Sequence, residues 1–395
     1  MPRDSIPAKI CLIAGEASGD ALGARLVSAL KKEVPGTVQF CGVGGQLMEA
    51  EGMQSLFPMR DLSVMGIAEV LPRLGKIIGR INQTAAFIQM EKPDIVITID
   101  SPDFCFRVAK KIKTGMSKPP LMIHYVAPTV WAWRPERAKK VAGLYDGMMC
   151  LYPFEPPYFQ REGLRAIAVG HSVLESGCGQ GNGLALRRER EIPLDAPVMG
   201  LLFGSRMGEL NRVGPILREA VIRIAAEKKN LHIVSPTFPH LEKQVKNLLR
   251  DIDCKTHIIA EQNRKWDSFA AMNMAMATSG TVGLELAMAD IPHLIAYKVN
   301  PLTAHIVKRK ITVKYAHLVN ILLDQPAVPE FIQGDCEPSA IAFCAAGLFG
   351  QSATAQFDAF AKARDLLTGS SQEPPSVQAA RFVLENIYSH TPTGA

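Results

Sequence analysis

The run Ile95-Val96-Ile97-Thr98-Ile99 constrains the fold more than any other stretch of the chain. Its residues are all β-branched and nearly all apolar. That disfavours a helix and suits a strand buried on both faces of a parallel sheet. Pro93 ends any preceding helix, because its ring clashes with the helical backbone and it lacks an N–H. Ser101 and Pro102 read as the N-cap and first residue of a new helix, with Asp103 in its first turn. Asp100 is thereby left at the carboxyl end of a strand, where open α/β sheets hold their ligands. A carboxylate there can act as general base towards a substrate hydroxyl. The plainer reading, that both acids merely serve a helix start, stands beside it and suits Asp103 better.

Composition sets the scale. A chain of 395 residues has room for two or three domains, and 47% hydrophobic content with 21% charge describes an ordered globular protein. The eight cysteines are scattered with no C-x-x-C pair, which weighs against zinc or a disulfide framework and fits a reducing cytosol. No signal segment and no run of membrane-spanning length is seen, so the expected location is cytoplasmic. A net charge of +6 suits anionic ligands or an anionic membrane face. It is too diffuse to argue for nucleic acid. No Asp, His or Cys cluster has metal-ligand spacing.

In chain order, Lys9 to Ala14 reads as a first strand, followed by Gly15-Glu16-Ala17-Ser18-Gly19-Asp20 and a helix through Leu30. The glycines are spaced G-x-x-x-G, so the dinucleotide fingerprint is absent. Glu16, Ser18 and Asp20 can bind substrate hydroxyls or cap the helix. Val38 to Val43 is a second strand. Ile67, Val70, Leu71, Leu74, Ile77, Ile78 and Ile81 then recur at helical spacing, with Arg73, Lys76 and Arg80 on a separate face. Such a basic amphipathic helix can lie on an anionic bilayer, or it can be an ordinary core helix with a solvated side. The preceding Val64-Met65-Gly66 favours an exposed apolar surface. Leu121 to Val126 is a further strand, and it runs into a loop carrying Trp131 and Trp133. The two are too close together for both to be core, so the loop reads as a binding surface. Tyr145 to Leu151 and Ala166 to Val169 complete a sheet, and His171 reads as structural.

The segment from Ser176 to Gly183 holds four glycines and reads as a connector between domains. The expected organisation is 1–176 as an N-terminal, membrane-facing domain and 184–372 as a C-terminal domain, to which the family resemblance given below assigns acceptor and donor binding respectively. Residues 373–395 form a terminal helix packing on the first domain or on a partner subunit. The second domain restarts the βα pattern, with strands at Val198 to Phe203, Leu231 to Ser235, Thr256 to Ala260 and Met274 to Thr278. A cleft between two doubly wound domains is a natural ligand site. Gly204-Ser205-Arg206 and Thr278-Ser279-Gly280-Thr281 each follow a strand and open a helix. Their backbone N–H groups, helix dipoles and arginine suit a diphosphate, and Glu285 one turn on suits a ribose diol. Lys308, Arg309, Lys310 and Lys314 alternate with apolar residues as a second candidate membrane patch.

Taken together, several motifs resemble the lipid-A-disaccharide synthase family, over about Ile10 to Pro338. They are Gly15-Glu-Ala-Ser-Gly-Asp20, Val64-Met-Gly-Ile-Ala-Glu-Val70, Ile99-Asp-Ser-Pro-Asp-Phe104, His124-Tyr-Val-Ala-Pro-Thr-Val-Trp-Ala-Trp-Arg134, Gly204-Ser-Arg206, Ser279-Gly-Thr-Val-Gly-Leu-Glu285 and Pro329-Glu-Phe-Ile-Gln333. The resemblance implies a GT-B fold of two Rossmann-like α/β domains and membership of glycosyltransferase family 19. It implies a peripheral enzyme of the inner membrane's cytoplasmic face that needs neither metal nor cofactor. The reaction implied joins UDP-2,3-diacylglucosamine to 2,3-diacylglucosamine 1-phosphate (lipid X), releasing UDP and forming a β-1,6-linked disaccharide.

Carried onto this chain, Asp100 becomes the base for the acceptor's 6-hydroxyl, and Glu16 and Ser18 orient substrate. Arg206, Ser279, Gly280, Thr281 and Glu285 hold the UDP portion, and Asn320 and Gln333 line the donor site. Val64, Met65, Ile67, Leu71, Leu74, Ile78, Arg73, Lys76, Arg80, Trp131 and Trp133 are the expected membrane or acyl contacts, and a homodimer is a further expected partner state. Phe203, Val319 and Ser172 depart from prolines common in the family, beside binding positions rather than on them. Two rivals stand against this reading: a GT-B-like UDP-sugar epimerase, and a non-enzymatic scaffold for anionic lipid.

Overall fold

A computed structural model describes residues 9–34, 38–62, 74–278, 280–300, 313–369 and 371–390. The chain divides into two compact units, Met1–Ser172 with Leu367–Ala395, and Val173–Leu366. The glycine-rich segment expected to link domains falls at the start of the second unit.

Unit 1 is built on a seven-stranded sheet. Its strands are β1 (Lys9–Ala14), β2 (Gln39–Val43), β3 (Gln54–Ser55), β4 (Ile95–Ile99), β5 (Leu121–Tyr125), β6 (Gly147–Cys150) and β7 (Arg165–Ala168). They lie in the order β3-β2-β1-β4-β5-β6-β7, and every pairing is parallel. The chain winds outward from β1 in one direction, then returns to start β4 beside β1 and winds the other way. The switch point therefore lies between β1 and β4. Ile95 to Ile99 are all buried, as a strand covered on both faces requires. Burying each of these aliphatic side chains contributes on the order of 1.5–3 kcal/mol relative to exposure.

The helix Ala17–Glu33 buries Leu22, Leu26 and Leu30 at four-residue spacing, with Gly23 and Val27 beside them. The terminal helix Pro375–His390 belongs to the same unit and packs on Ala17–Glu33. It inserts Phe382 above Gly147, where an added Cβ would stand 3.0 Å from the ring. Arg165 pairs with Glu385 at 2.7 Å along its flank.

Unit 2 repeats the plan with six strands: β8 (Val198–Leu202), β9 (His232–Pro236), β10 (Lys255–Ile259), β11 (Met274–Thr278), β12 (His293–Tyr297) and β13 (Glu330–Ile332). Their order is β10-β9-β8-β11-β12-β13, again all parallel, which puts the switch point between β8 and β11. β8 and β11 are buried along their whole length. β3, β12 and β13 were not among the expected strands. Among the described residues, no helix is long and apolar enough to cross a membrane.

Candidate functional site

In unit 1 the switch point gathers the loop after β1 and the end of β4. Asp100 and Ser101 both adopt left-handed backbone, at φ +53° and +44°. Such conformations cost roughly 1–3 kcal/mol each and persist only where the surroundings impose them. Asp100 N–H still donates to Tyr125 C=O at 2.9 Å, so the turn begins from a fixed strand end. The turn carries the Asp100 carboxylate to the first turn of the helix Ala17–Glu33, where Ser18 Oγ donates to its Oδ2 at 3.1 Å. Gly15 makes this close approach feasible, since a Cβ there would lie 2.5 Å from Ser101 Oγ.

Ser101 does stand at the N-cap position of the helix Pro102–Gly115, but its side chain makes no capping bond. Its hydroxyl is buried without a partner among the described residues. The expectation that it caps is corrected by its left-handed φ, which turns the side chain towards Gly15. Glu16 is the N-cap residue of Ala17–Glu33, is half-buried, and makes no side-chain capping bond either. Asp20 separates from this group. It is buried, and its carboxylate accepts the backbone N–H groups of Gly45 (2.8 Å), Leu47 (3.1 Å) and Met48 (3.1 Å). Asp20 therefore caps the neighbouring helix Gln46–Ala50, neither its own helix nor a substrate.

The tryptophan loop is held inward at one of its two rings. Trp131 Nε1–H donates to Glu155 Oε1 at 3.0 Å, and its ring sits edge-on to Phe154 and Tyr152. Glu155 is itself buried, and its Oε2 accepts the backbone N–H groups of Leu151 and Tyr152, each at 3.0 Å. Trp131 thus ties two strand-end loops together while its side chain stays half-buried. Trp133 lies under the Arg134 guanidinium at 4.3 Å.

The basic face of the amphipathic helix is partly engaged within the unit. Val64, Met65, Ile67, Leu71 and Arg73 lie outside the described residues, as do most of the 306–314 patch. In the helix Leu74–Glu91, Lys76 and Arg80 both pair with Asp61, each at 2.6 Å, and Arg80 also covers the Phe57 ring. Asp61 offsets one of the two positive charges, and the Lys76 side chain stays 52% exposed. Ile81 and Ile88 turn to the core, whereas Leu74 and Ile78, one turn apart, are 38% and 49% exposed.

In unit 2 a cavity of about 520 Å³ opens at the β8/β11 switch point. Gly204, Ser205 and Arg206 line it from the end of β8, and Gly280, Thr281 and Glu285 from beyond β11. Gly204 (φ +81°) and Gly280 (φ +137°) take backbone that other residues rarely adopt, and each precedes a helix. The helices Met207–Glu227 and Thr281–Met288 both begin at the cavity wall, with Arg206 and Gly280 as their N-caps. Two sets of unpaired N–H groups with the positive ends of two helix dipoles make an anion site. Arg206 is 62% exposed and 3.8 Å from Glu209, so its guanidinium is available to a ligand. Glu285 is mostly buried and pairs through Oε2 with Lys265 Nζ at 2.6 Å.

The remaining donor-site expectations divide. Ser279 lies outside the described residues. Asn320 is fully buried and away from the cavity wall. Its Nδ2 donates to Val328 C=O and Glu330 Oε1, and its Oδ1 accepts Val328 N–H. That amide secures the approach to β13 and has no polar atom left over for a sugar. Gln333, at φ +55°, follows β13 directly, beside the strand end that contributes Tyr297 to the wall, but is not itself a lining residue. Sequence reasoning missed Lys265, Phe238, Glu261 and Gln262, which line the cavity from beyond β9 and β10. The one available signal was Pro236-Thr237-Phe238-Pro239, a strand-end loop like those already singled out.

Two parallel-sheet units of this kind, one with an anion-suited cavity at its switch point, place the chain in the GT-B class. The glycotransferase of kitacinnamycin superposes with a TM-score of 0.64 at 14% identity, covering 96% of this chain and 99% of that one. The UDP-GlcNAc 2-epimerase from Neisseria meningitidis gives 0.61 at 13% identity, covering 97% and 100%. At such identities the likeness concerns the fold. The sequence is more specific: residues 10–380 match the family described as lipid-A-disaccharide synthetase. The lipid-A-disaccharide synthase of Rhodospirillum centenum is 44% identical over 383 residues, covering 96% of this chain and 95% of that protein. The chain belongs to the lipid-A-disaccharide synthase family, and is a GT-B hexosyltransferase of lipid A biosynthesis.

Proposed function

We propose that the enzyme transfers a 2,3-diacylglucosaminyl group from UDP to the 6-hydroxyl of 2,3-diacylglucosamine 1-phosphate, with inversion at the anomeric carbon. The observation that carries this reading is the cationic cradle of unit 2, where Arg206 and two helix N-termini meet around one cavity. A UDP leaving group accumulates negative charge as the glycosidic bond breaks, and prealigned N–H dipoles with a guanidinium stabilise that charge. Glu285, steadied by Lys265, accepts hydrogen bonds from the ribose diol. On unit 1, Asp100 removes the proton of the attacking hydroxyl, and Ser18 fixes the carboxylate that receives it. The base and the leaving-group cradle are carried by different units, so transfer needs both substrates engaged together.

The test is direct. Supplied with both lipid sugars, the enzyme is expected to release UDP and form a phosphorylated, tetra-acylated disaccharide. UDP release without a new glycosidic bond would overturn the assignment. We further propose peripheral association with anionic membrane through the exposed Leu74 and Ile78, with Lys76 and Arg80 occupied by Asp61. Leu74→Glu with Ile78→Glu should then weaken co-sedimentation with anionic vesicles, and unchanged co-sedimentation would reject this surface.

A further inference from the structure

Thr278 closes β11 at the switch point of unit 2 and lines the cavity. The residue is fully buried, yet its Oγ1 has no hydrogen-bond partner among the described residues. The neighbouring space is the one left by Gly204, where an added Cβ would stand 2.9 Å from Thr278 Oγ1 and would strike Glu209 Oε2. Neither the strand nor the core needs this hydroxyl. Valine has the same shape and the same liking for a strand, and it would bury a methyl group where threonine buries an unsatisfied donor. A buried polar atom left unpaired in this way calls for an explanation, and a ligand is the natural one where the atom borders a binding cavity.

We infer that the Thr278 hydroxyl is a binding group for the diphosphate, donating to a phosphate oxygen that lies over Gly204. The inference rests on the reading of this cavity as the UDP site. The chemistry fits the place. The helices Met207–Glu227 and Thr281–Met288 start on either side of Thr278, so an anion between them lies among N–H donors. Glu209 brings a carboxylate to the same corner, with Arg206 at 3.8 Å as its partner. A neutral hydroxyl beside that acid adds a donor to the anion without another cation for Glu209 to capture. The Glu209 carboxylate already stands over Gly204, where an added Cβ would collide with it, so the phosphate meets the hydroxyl as Glu209 swings aside towards Arg206.

The experiment compares the full-length enzyme with Thr278→Val and Thr278→Ser, titrated separately with UDP and with uridine, alongside thermal unfolding without ligand. Thr278→Val is expected to weaken UDP binding by about ten- to thirtyfold, the scale of one hydrogen bond to a charged group. Uridine binding should be unchanged, and the unliganded unfolding midpoint should hold or rise because the orphaned hydroxyl is gone. Thr278→Ser should restore most of the UDP affinity. Equal UDP affinity in Thr278→Val and wild type would overturn the inference, as would equal losses for UDP and uridine. Failure of the wild-type enzyme to bind UDP at all would instead overturn the reading of the cavity on which the inference rests.

Discussion

Ser18 Oγ donates to Asp100 Oδ2 at 3.1 Å, joining the first turn of the helix Ala17–Glu33 to the left-handed turn after β4 across the switch point of unit 1. The bond fixes one carboxylate oxygen and leaves Asp100 half-buried at the sheet's ligand-binding end. Asp100→Ala is expected to lower turnover by roughly two to four orders of magnitude, the usual contribution of a positioned general base. UDP affinity should be untouched, since the cradle belongs to unit 2. Ser18→Ala should cost about tenfold or less, because it loosens the base without removing it. Steady-state kinetics on purified variants checks both, and near-normal turnover in Asp100→Ala would remove that residue from the mechanism.

Lys265 gives a prediction about specificity. Its Nζ lies 2.6 Å from Glu285 Oε2 and 4.5 Å from the centroid of the Trp266 ring, so the ammonium is held from two sides. Both residues line the cavity, so the pairing fixes the Glu285 carboxylate at its wall. Lys265→Met keeps the stem and the ring contact but releases the carboxylate. The preference for UDP over 2′,3′-dideoxy-UDP should shrink by about five- to tenfold, on the scale of one charge-assisted hydrogen bond. Competitive titration with the two nucleotides measures the ratio. An unchanged ratio would mean that Glu285 needs no help in meeting the diol.

Much of this architecture was legible because its strongest elements are locally determined. β1, β4 and β11 have the bounds that their apolar runs and flanking turns imply. Both switch-point loops announce themselves by glycines where the backbone must turn or approach closely. The elements that escaped are those whose pairing is decided at long range. β12 contains His293, whose imidazole is held in the core by Ile291 C=O at 2.7 Å and by His317 at 2.9 Å, and burial pushes its pKa down to about 4. β13 has three residues and β3 has two, too few for any periodicity to register. The ion pairing on the basic face of the 74–91 helix escaped for the same reason. Nothing local shows that Asp61, some fifteen residues earlier, collects both Lys76 and Arg80. Asn320 and Asp20 likewise carry chemistry suited to a ligand, but tertiary contacts commit it to backbone.

Asp20 supplies a stability prediction. Its carboxylate accepts three backbone N–H groups at the start of Gln46–Ala50, which otherwise has no side-chain cap. Asp20→Ala leaves those donors unpaired, the Met48 N–H in a buried place and the other two partly buried, and should cost roughly 2–4 kcal/mol of unfolding free energy. Asp20→Asn retains one acceptor oxygen and should lose about half as much. Denaturant unfolding gives the two values. At low temperature, where both variants stay folded, turnover should remain within about threefold of wild type. A stable but inactive Asp20→Ala would return this residue to the substrate site.

Glu155 makes the stability of unit 1 depend on pH. Burial raises its pKa from the ordinary 4.5 to about 7, against the opposing pull of hydrogen bonds from Tyr152, Trp131 and Leu151. A carboxyl whose folded pKa is raised binds its proton more tightly in the native state than in the unfolded chain. Stability from this group is therefore fully present below about pH 4.5 and is lost as pH rises towards 7. The full span is on the order of 3 kcal/mol, from the two and a half pKa units between the two states. Glu155→Gln removes the titration and should flatten that part of the stability profile. The amide keeps an acceptor for the Leu151 and Tyr152 N–H groups but turns an NH₂ towards Trp131 Nε1, where donor would meet donor. Trp131 should consequently loosen, with a red shift and greater quenching of its fluorescence at every pH. In wild type the same change should develop as the pH falls through about 7, as the carboxyl gains a proton and the Trp131 bond weakens. Chemical unfolding from pH 4.5 to 8, followed by fluorescence in both proteins, measures the slope and the shift together. A Glu155→Gln profile parallel to wild type would assign the titration to another group, and unaltered fluorescence would show that Trp131 is held by its aromatic neighbours alone.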